Sequence, residues 1–232
     1  MNIDFGPMTL ECEQQNLLDY DETDPDNIMA VSSDTAKIDL LLKVDNDSFP
    51  VGLARPWSEV RPDEDDNCND WGMMFDIDFA GGEGVGSFIL QMATPGAGFQ
   101  LGFDATALGE LVAFTQPTQG VMCGDAGSFA RPGQWRIKLY SYQDGADYYY
   151  VLQVYTTGDA LLATASCETG SSCTLPADTD FHVAYAPGDF EPARDTQITI
   201  SDLWVPGTTP VLPMIRLHGT LGQKRIQEGG NF

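Results

Sequence analysis

The sequence predicts an all-β protein with a two-sheet antiparallel sandwich, and three features carry that prediction. Apolar residues recur at every second position in several segments, Gly and Pro punctuate those segments, and no long stretch has the 3.6-residue period of an amphipathic helix. The 232 residues include 24 Gly and 14 Pro, which suits short strands joined by tight turns. A content of 42% hydrophobic and 10% aromatic residues is that of a chain with a core rather than a disordered one. One core fits this length, with 1–30 read as an N-terminal arm, 31–206 as the β-sandwich and 207–232 as a C-terminal arm.

In chain order, TLECEQQNLL at 9–18 is ambiguous between a short helix and part of the arm. KIDLLLKV at 37–44 alternates Ile38, Leu40, Leu42 and Val44 against Lys37, Asp39 and Lys43, as a strand with one wet face must. WGMMFDIDF sets Met73, Phe75, Ile77 and Phe79 on one face and Asp76 and Asp78 on the other. GGEGVG turns the chain into SFILQMA at 87–93, and TPGAG turns it into FQLGF. ELVAF at 110–114 reads as a strand and QPTQGVMCGDAGSFARPG as a loop too rich in Gly and Pro for a helix. In GQWRIKLYSYQDGADYYYVLQVY, Trp135, Ile137 and Leu139 share one face while Arg136, Lys138, Tyr140 and Tyr142 share the other. Asp144-Gly145 there supplies a hairpin turn. ALLATAS, FHVAYA at 181–186 and TQITISDLWV at 196–205 complete the strands.

The order of these segments resembles the concanavalin A-like lectin and laminin G-like jelly rolls over about residues 71–205. The resemblance rests on Phe75-Asp76-Ile77-Asp78-Phe79, the Gly98–Phe103 strand, the Trp135–Tyr155 hairpin and the closing Ile198–Val205 strand, with Asp195-Thr196-Gln197 where the family has a Gly. It implies two curved antiparallel sheets packed face to face, with ligand sites on the concave face or rim loops. It leaves function open among sugar, protein or calcium binding, polysaccharide cleavage, and structural roles on phage and viral particles.

Charge narrows the partners. Eleven Lys and Arg against 35 Asp and Glu give a net charge of -24, which repels nucleic acid and anionic lipid. The acids gather in DYDETDPDN, DND and DEDDNCND. A solvated acidic skin explains them, and calcium is the one cofactor they suggest, held by Asp63, Asp65, Asn67 and Asp70. Cys68 stands where an EF-hand loop requires its turn Gly, so any such site is of another kind. No apolar stretch approaches membrane length, and the start lacks the basic end and apolar centre of a secretory signal. Of the five Cys, Cys167 and Cys173 are the disulfide candidate.

Catalytic patterns are absent from the sequence. The E-x-D-x-x-E strand of glycan-cleaving jelly rolls is missing, and Asp76 and Asp78 read as outer-face residues. The lyase pattern of Q-I-H with Y-F-K-x-G-x-Y has only the echo RIKLYSYQ. His182 reads as a sheet histidine, and GGEGVG is followed by a strand where a dinucleotide loop needs a helix. For sugars, Trp57, Tyr140, Tyr142, Tyr148 and Tyr150 form a candidate stacking platform, with cross-strand packing as the competing and preferred reading. Arg216, Lys224 and Arg225 make the tail basic, which suits docking on an acidic neighbour. The expectation is a non-enzymatic structural or adhesive protein, a homo-oligomer held with other subunits in an assembly such as a virion (head decoration, fibre or tail part), or otherwise extracellular. A soluble protein that binds or degrades polysaccharide is the alternative.

Overall fold

The computed structural model describes residues 1–24, 27–39, 51–60, 70–80, 91–93, 100–105, 110–116, 124–130, 132–169, 180–186 and 197–207. In chain order the strands are β1 (Asn2–Asp4), β2 (Thr9–Gln14), β3 (Asp21–Thr23), β4 (Met29–Val31), β5 (Thr35–Asp39), β6 (Val51–Pro56), β7 (Trp71–Ala80) and β8 (Gln91–Ala93). They continue with β9 (Gln100–Ala105), β10 (Glu110–Gln116), β11 (Gly124–Ala130), β12 (Gly133–Asp144), β13 (Asp147–Tyr155), β14 (Leu161–Thr169), β15 (Asp180–Ala186) and β16 (Gln197–Pro206). A 3-10 turn at Leu17–Asp19 and the single helical turn α1 (Trp57–Val60) are the helical elements among the described residues.

These strands build a two-sheet antiparallel jelly-roll sandwich. The larger sheet runs β1-β2-β16-β7-β12-β13-β14, with β5 also on β16 and β4 on β5; the smaller runs β11-β10-β9-β8-β15-β6-β3. Strand alternation explains the interior. On β7 the residues Trp71, Met73, Phe75, Ile77 and Phe79 point inward, and they meet Trp135, Ile137 and Leu139 of β12. Leu152 and Val154 of β13, Ile198 and Ile200 of β16, and Phe181 and Val183 of the smaller sheet close the same buried cluster. Asp76 and Asp78 lie on the opposite face, as the alternation requires.

Residues 1–30, expected as an arm, contribute β1, β2, β3 and the start of β4 to the two sheets. Ile3, Phe5, Cys12, Leu17 and Tyr20 in this stretch are buried, so this end of the chain belongs to the sandwich. The ambiguous 9–18 segment is β2 followed by the 3-10 turn. β11 forms inside the Gly-rich stretch read as a loop. The described part of the strand expected at 37–44 ends at Asp39, and the C-terminal arm beyond Gly207 lies outside the described residues.

A second cluster sits on the outer face of the larger sheet. Ile3, Phe5 and Cys12 of the N-terminal hairpin cover Met74, Tyr140 and Val151 there. Gly72 makes this close approach possible: a Cβ at that position would lie 2.8 Å from the Tyr140 Cβ and 3.0 Å from the Phe5 ring. The Met1 amino group donates to the Cys12 carbonyl, and Cys12 N donates to Met1 O at 2.7 Å, which fastens the hairpin's open end.

Candidate functional site

The outer face of the β12–β13 hairpin brings together Tyr140, Tyr142, Tyr149 and Tyr155. Its turn is the two-residue Gly145-Ala146, with Asp144 paired to Asp147 and Gly145 at φ 64°. The positive φ therefore falls on Gly145 and not on Asp144, the arrangement of a turn with glycine in its first central position. That register sets Tyr142 opposite Tyr149, Tyr140 opposite Val151 and Lys138 opposite Gln153.

The rings form a short column. Phe5 packs on Tyr140 at 5.4 Å, Tyr140 lies against Tyr142 at 6.2 Å, and Tyr142 stacks on Tyr149 at 4.9 Å with 13° between the planes. Tyr140 is buried, whereas Tyr142 and Tyr149 are half-buried at the column's outer end. The Tyr149 hydroxyl donates to Glu168 Oε2 at 3.5 Å. Burial, then the charges of Glu168 and Asp147, raise the Tyr149 hydroxyl above its ordinary value, and burial pushes that of Tyr140 up to about 12. Both hydroxyls therefore stay neutral near pH 7, and that of Tyr149 keeps the proton it donates to Glu168.

Below the column the face is polar and internally paired. Lys138 Nζ donates to the Asp4 carbonyl at 2.6 Å and sits 5.1 Å from the Tyr155 ring centre. Arg136 grips both oxygens of Asp76, at 2.8 and 3.0 Å, and reaches Asp159 at 2.6 Å. Gln134 donates to Asp78 at 2.8 Å. Asp76 and Asp78 are thus held by partners on β12, which suits structural carboxylates better than a pair aimed at one bond.

The sequence-predicted platform does not assemble as a unit. Trp57 is 2% exposed and packs on Trp71 at 5.0 Å and Phe181 at 6.1 Å, so it is a core residue. Tyr150 is 2% exposed and belongs to the inter-sheet core, and Tyr148 shares its side of the strand. Only Tyr140 and Tyr142 lie together on the outer face, where Tyr149 and Tyr155 join them. The missed residues follow from the turn: a two-residue loop after Asp144 places Tyr149, not Tyr148 or Tyr150, across from Tyr142.

Of the calcium candidates, Asp63, Asp65 and Asn67 lie outside the described residues. Asp70 adopts φ 53°, and its Oδ1 accepts from Gln143 N at 3.3 Å, a contact that ties β7 to the hairpin. Among the described residues no three His, Cys, Asp or Glu side chains are grouped to hold a metal ion. The backbone of Cys167 lies in β14, while a bridge to Cys173 falls outside the described residues, as do Arg216, Lys224 and Arg225. His182 lies in β15 between β6 and β8, and burial lowers its affinity for a proton. Two shallow recesses, of about 270 Å³ beside Ile28, Lys37 and Asp39 and about 360 Å³ beside Gln15 and Asp34, have no tyrosine in their walls. No helix among the described residues is long and apolar enough to cross a membrane.

No protein-family model matches the sequence, and no curated protein matches it. Solved structures resemble its chain path. A module named CBM2 in the evolved Dit of Lactobacillus casei BL23 phage J-1 is similar at 9% identity and a TM-score of 0.47, over 88% of this chain and 93% of that one. A Shewanella oneidensis MR-1 protein of unknown function is similar at 7% identity and a TM-score of 0.45, over 85% and 79%. A botulinum neurotoxin type C chain, whose cell entry depends on two ganglioside molecules, is similar at 11% identity and a TM-score of 0.44, over 84% of this chain and 42% of that one. These are likenesses of shape at identities that transfer no chemistry from those proteins to this one.

Proposed function

We propose that this chain is a non-enzymatic, lectin-like adhesive module that takes a surface glycan on the Tyr142–Tyr149 end of its outer face. The observation that carries the reading is this parallel, half-buried ring pair with a donor hydroxyl and Glu168 beside it. A sugar needs an aromatic surface for its C–H face and polar groups for its hydroxyls. The rings stand on paired strands rather than loops, with Tyr140 locked beneath by Phe5, so little ordering entropy is lost on binding.

A glycan array with purified protein tests the reading. The wild type is expected to bind a restricted set of glycans, and Tyr149→Ala to weaken that binding at least tenfold with an unchanged far-ultraviolet circular dichroism spectrum. Undiminished binding by the variant would leave the rings with a packing role alone.

The module is proposed to work within a larger assembly, a virion being the setting. Charge supports this part: residues 207–232 carry Arg216, Lys224 and Arg225 against the single acid Glu228, in a chain of net charge -24. Such a tail suits an acidic neighbouring subunit. Deleting 208–232 is expected to leave the sandwich folded and to abolish incorporation into the particle. Normal incorporation of the truncated chain would remove the tail from the account.

A further inference from the structure

We propose, resting on the function proposed above, that the ligand of the Tyr142–Tyr149 pair is a glycan with free, protonated amines, such as a de-N-acetylated glucosamine polymer. The stacked rings are the site, and the groups around them set the charge of what it takes.

Strand register draws those groups together. Asp144 lies two residues beyond Tyr142 on β12 and Asp147 two residues before Tyr149 on β13, and the two face each other across the turn. Alternation turns both toward the outer face, roughly 7 Å along the strands from the rings. On β14, Glu168 pairs with Tyr149, and its carboxylate flanks that ring 3.5 Å from the hydroxyl. All three carboxylate side chains are exposed. After burial, the charges of Glu168, Asp147 and Asp144 help to hold the proton on the Tyr149 hydroxyl, so their field reaches the ring.

No base answers them. Among the described residues Asp144, Asp147 and Glu168 form no ion pair. Lys138 is the nearest base on β12, four residues or about 13 Å from Tyr142, and its amine is engaged by the Asp4 carbonyl and the Tyr155 ring. Arg136 is held by Asp76 and Asp159. The screening length is about 8 Å at physiological ionic strength, so the three carboxylates act on a ligand at the rings and Lys138 is largely screened from it. The balance sorts glycans by charge. Acidic sugars bring further carboxylates into this field and are repelled. A neutral sugar gains stacking and ordinary hydrogen bonds. A protonated amine adds charge-assisted hydrogen bonds, roughly twice as strong as neutral ones, and attraction to the tyrosine faces.

Calorimetric titration of the full chain with tetramers of glucosamine, N-acetylglucosamine and glucose in one linkage tests the preference, at about pH 5.5, above the ordinary carboxylate range near 4. The wild type is expected to bind the glucosamine tetramer at least tenfold more tightly than either of the others. Asp147→Asn combined with Glu168→Gln is expected to remove that preference, and Tyr149→Ala to weaken binding of the amine form at least tenfold. Asp21→Asn combined with Glu22→Gln removes the same charge from exposed β3 of the smaller sheet and is expected to change nothing. Asp147 and Glu168 are exposed, so their variant should keep the wild-type dichroism spectrum. Equal or tighter binding of the acetylated or neutral tetramer, weakened by Tyr149→Ala, overturns the amine preference and leaves the glycan site standing. Amine-form binding that Tyr149→Ala leaves intact, or that the β3 variant weakens as much as the site variant, belongs to the acidic surface at large and overturns the proposal. Binding of none of the three overturns it as well, and the glycan array then decides the proposed function on its own.

Discussion

Tyr140 and Tyr142 stand two positions apart on one strand, yet the fold gives them different work. Tyr140 is sealed between Phe5 and the Gly72 backbone, while Tyr142 keeps an open edge and stacks on Tyr149. The sequence shows that both rings point the same way, because alternation on β12 is regular. Depth is not legible there, since it depends on where Phe5, far away in the chain, comes to rest. His182 is a second residue whose environment has a measurable consequence. Burial lowers its pKa below the ordinary 6.5, with Asp180 opposing. The unfolded chain therefore takes up the proton first, so this contribution to stability is complete above about pH 6.5, begins to fall below it and is lost as pH drops through the lower value of the folded state. Urea denaturation of His182→Gln is expected to show a shallower loss of stability than wild type between about pH 7 and 5. An equal slope in both proteins would assign the acid sensitivity to the carboxylates instead.

At the scale of elements, β7, β12, β13 and β16 were legible because each is long enough to repeat its pattern several times. β1, β3 and β4, of three residues each, show no period, and β3 exposes all of its side chains. Their place is decided by partners: β3 by β6, β4 by β5, and the β1–β2 hairpin by β16. β11 is not legible in the sequence because Gly and Pro around it signal turns, and its pairing with β10 overrides that local preference. The N-terminal hairpin matters to stability well beyond its length. Removing residues 1–14 would expose Met74, Tyr140 and Val151 and open the end of β16. Loss of Ile3 and Phe5 alone should cost about 1.5–3 kcal/mol each. Chemical denaturation of the truncated chain is expected to show a large drop in midpoint, and an unchanged midpoint would make the hairpin an ornament on an independent sandwich.

The whole molecule is an acidic double layer with one interior between its sheets and a smaller apolar cluster beneath its N-terminal hairpin. The interior was readable from sequence because it is made by regular alternation. The candidate surface was readable only in part, because Trp57 and Tyr150 look like ligand-stacking rings until tertiary packing buries them. What distinguishes Tyr142 and Tyr149 is position: they end a ring column on a face otherwise filled by Arg136–Asp76, Gln134–Asp78 and Lys138–Asp4 contacts. The most direct test is a nuclear magnetic resonance titration of the isotope-labelled chain with the strongest glycan from the array. Recognition on this face predicts saturable shifts concentrated at Tyr142, Tyr149 and Glu168, with Trp57 and Tyr150 unmoved. Shifts confined to the smaller sheet, or none at saturating glycan, would contradict it.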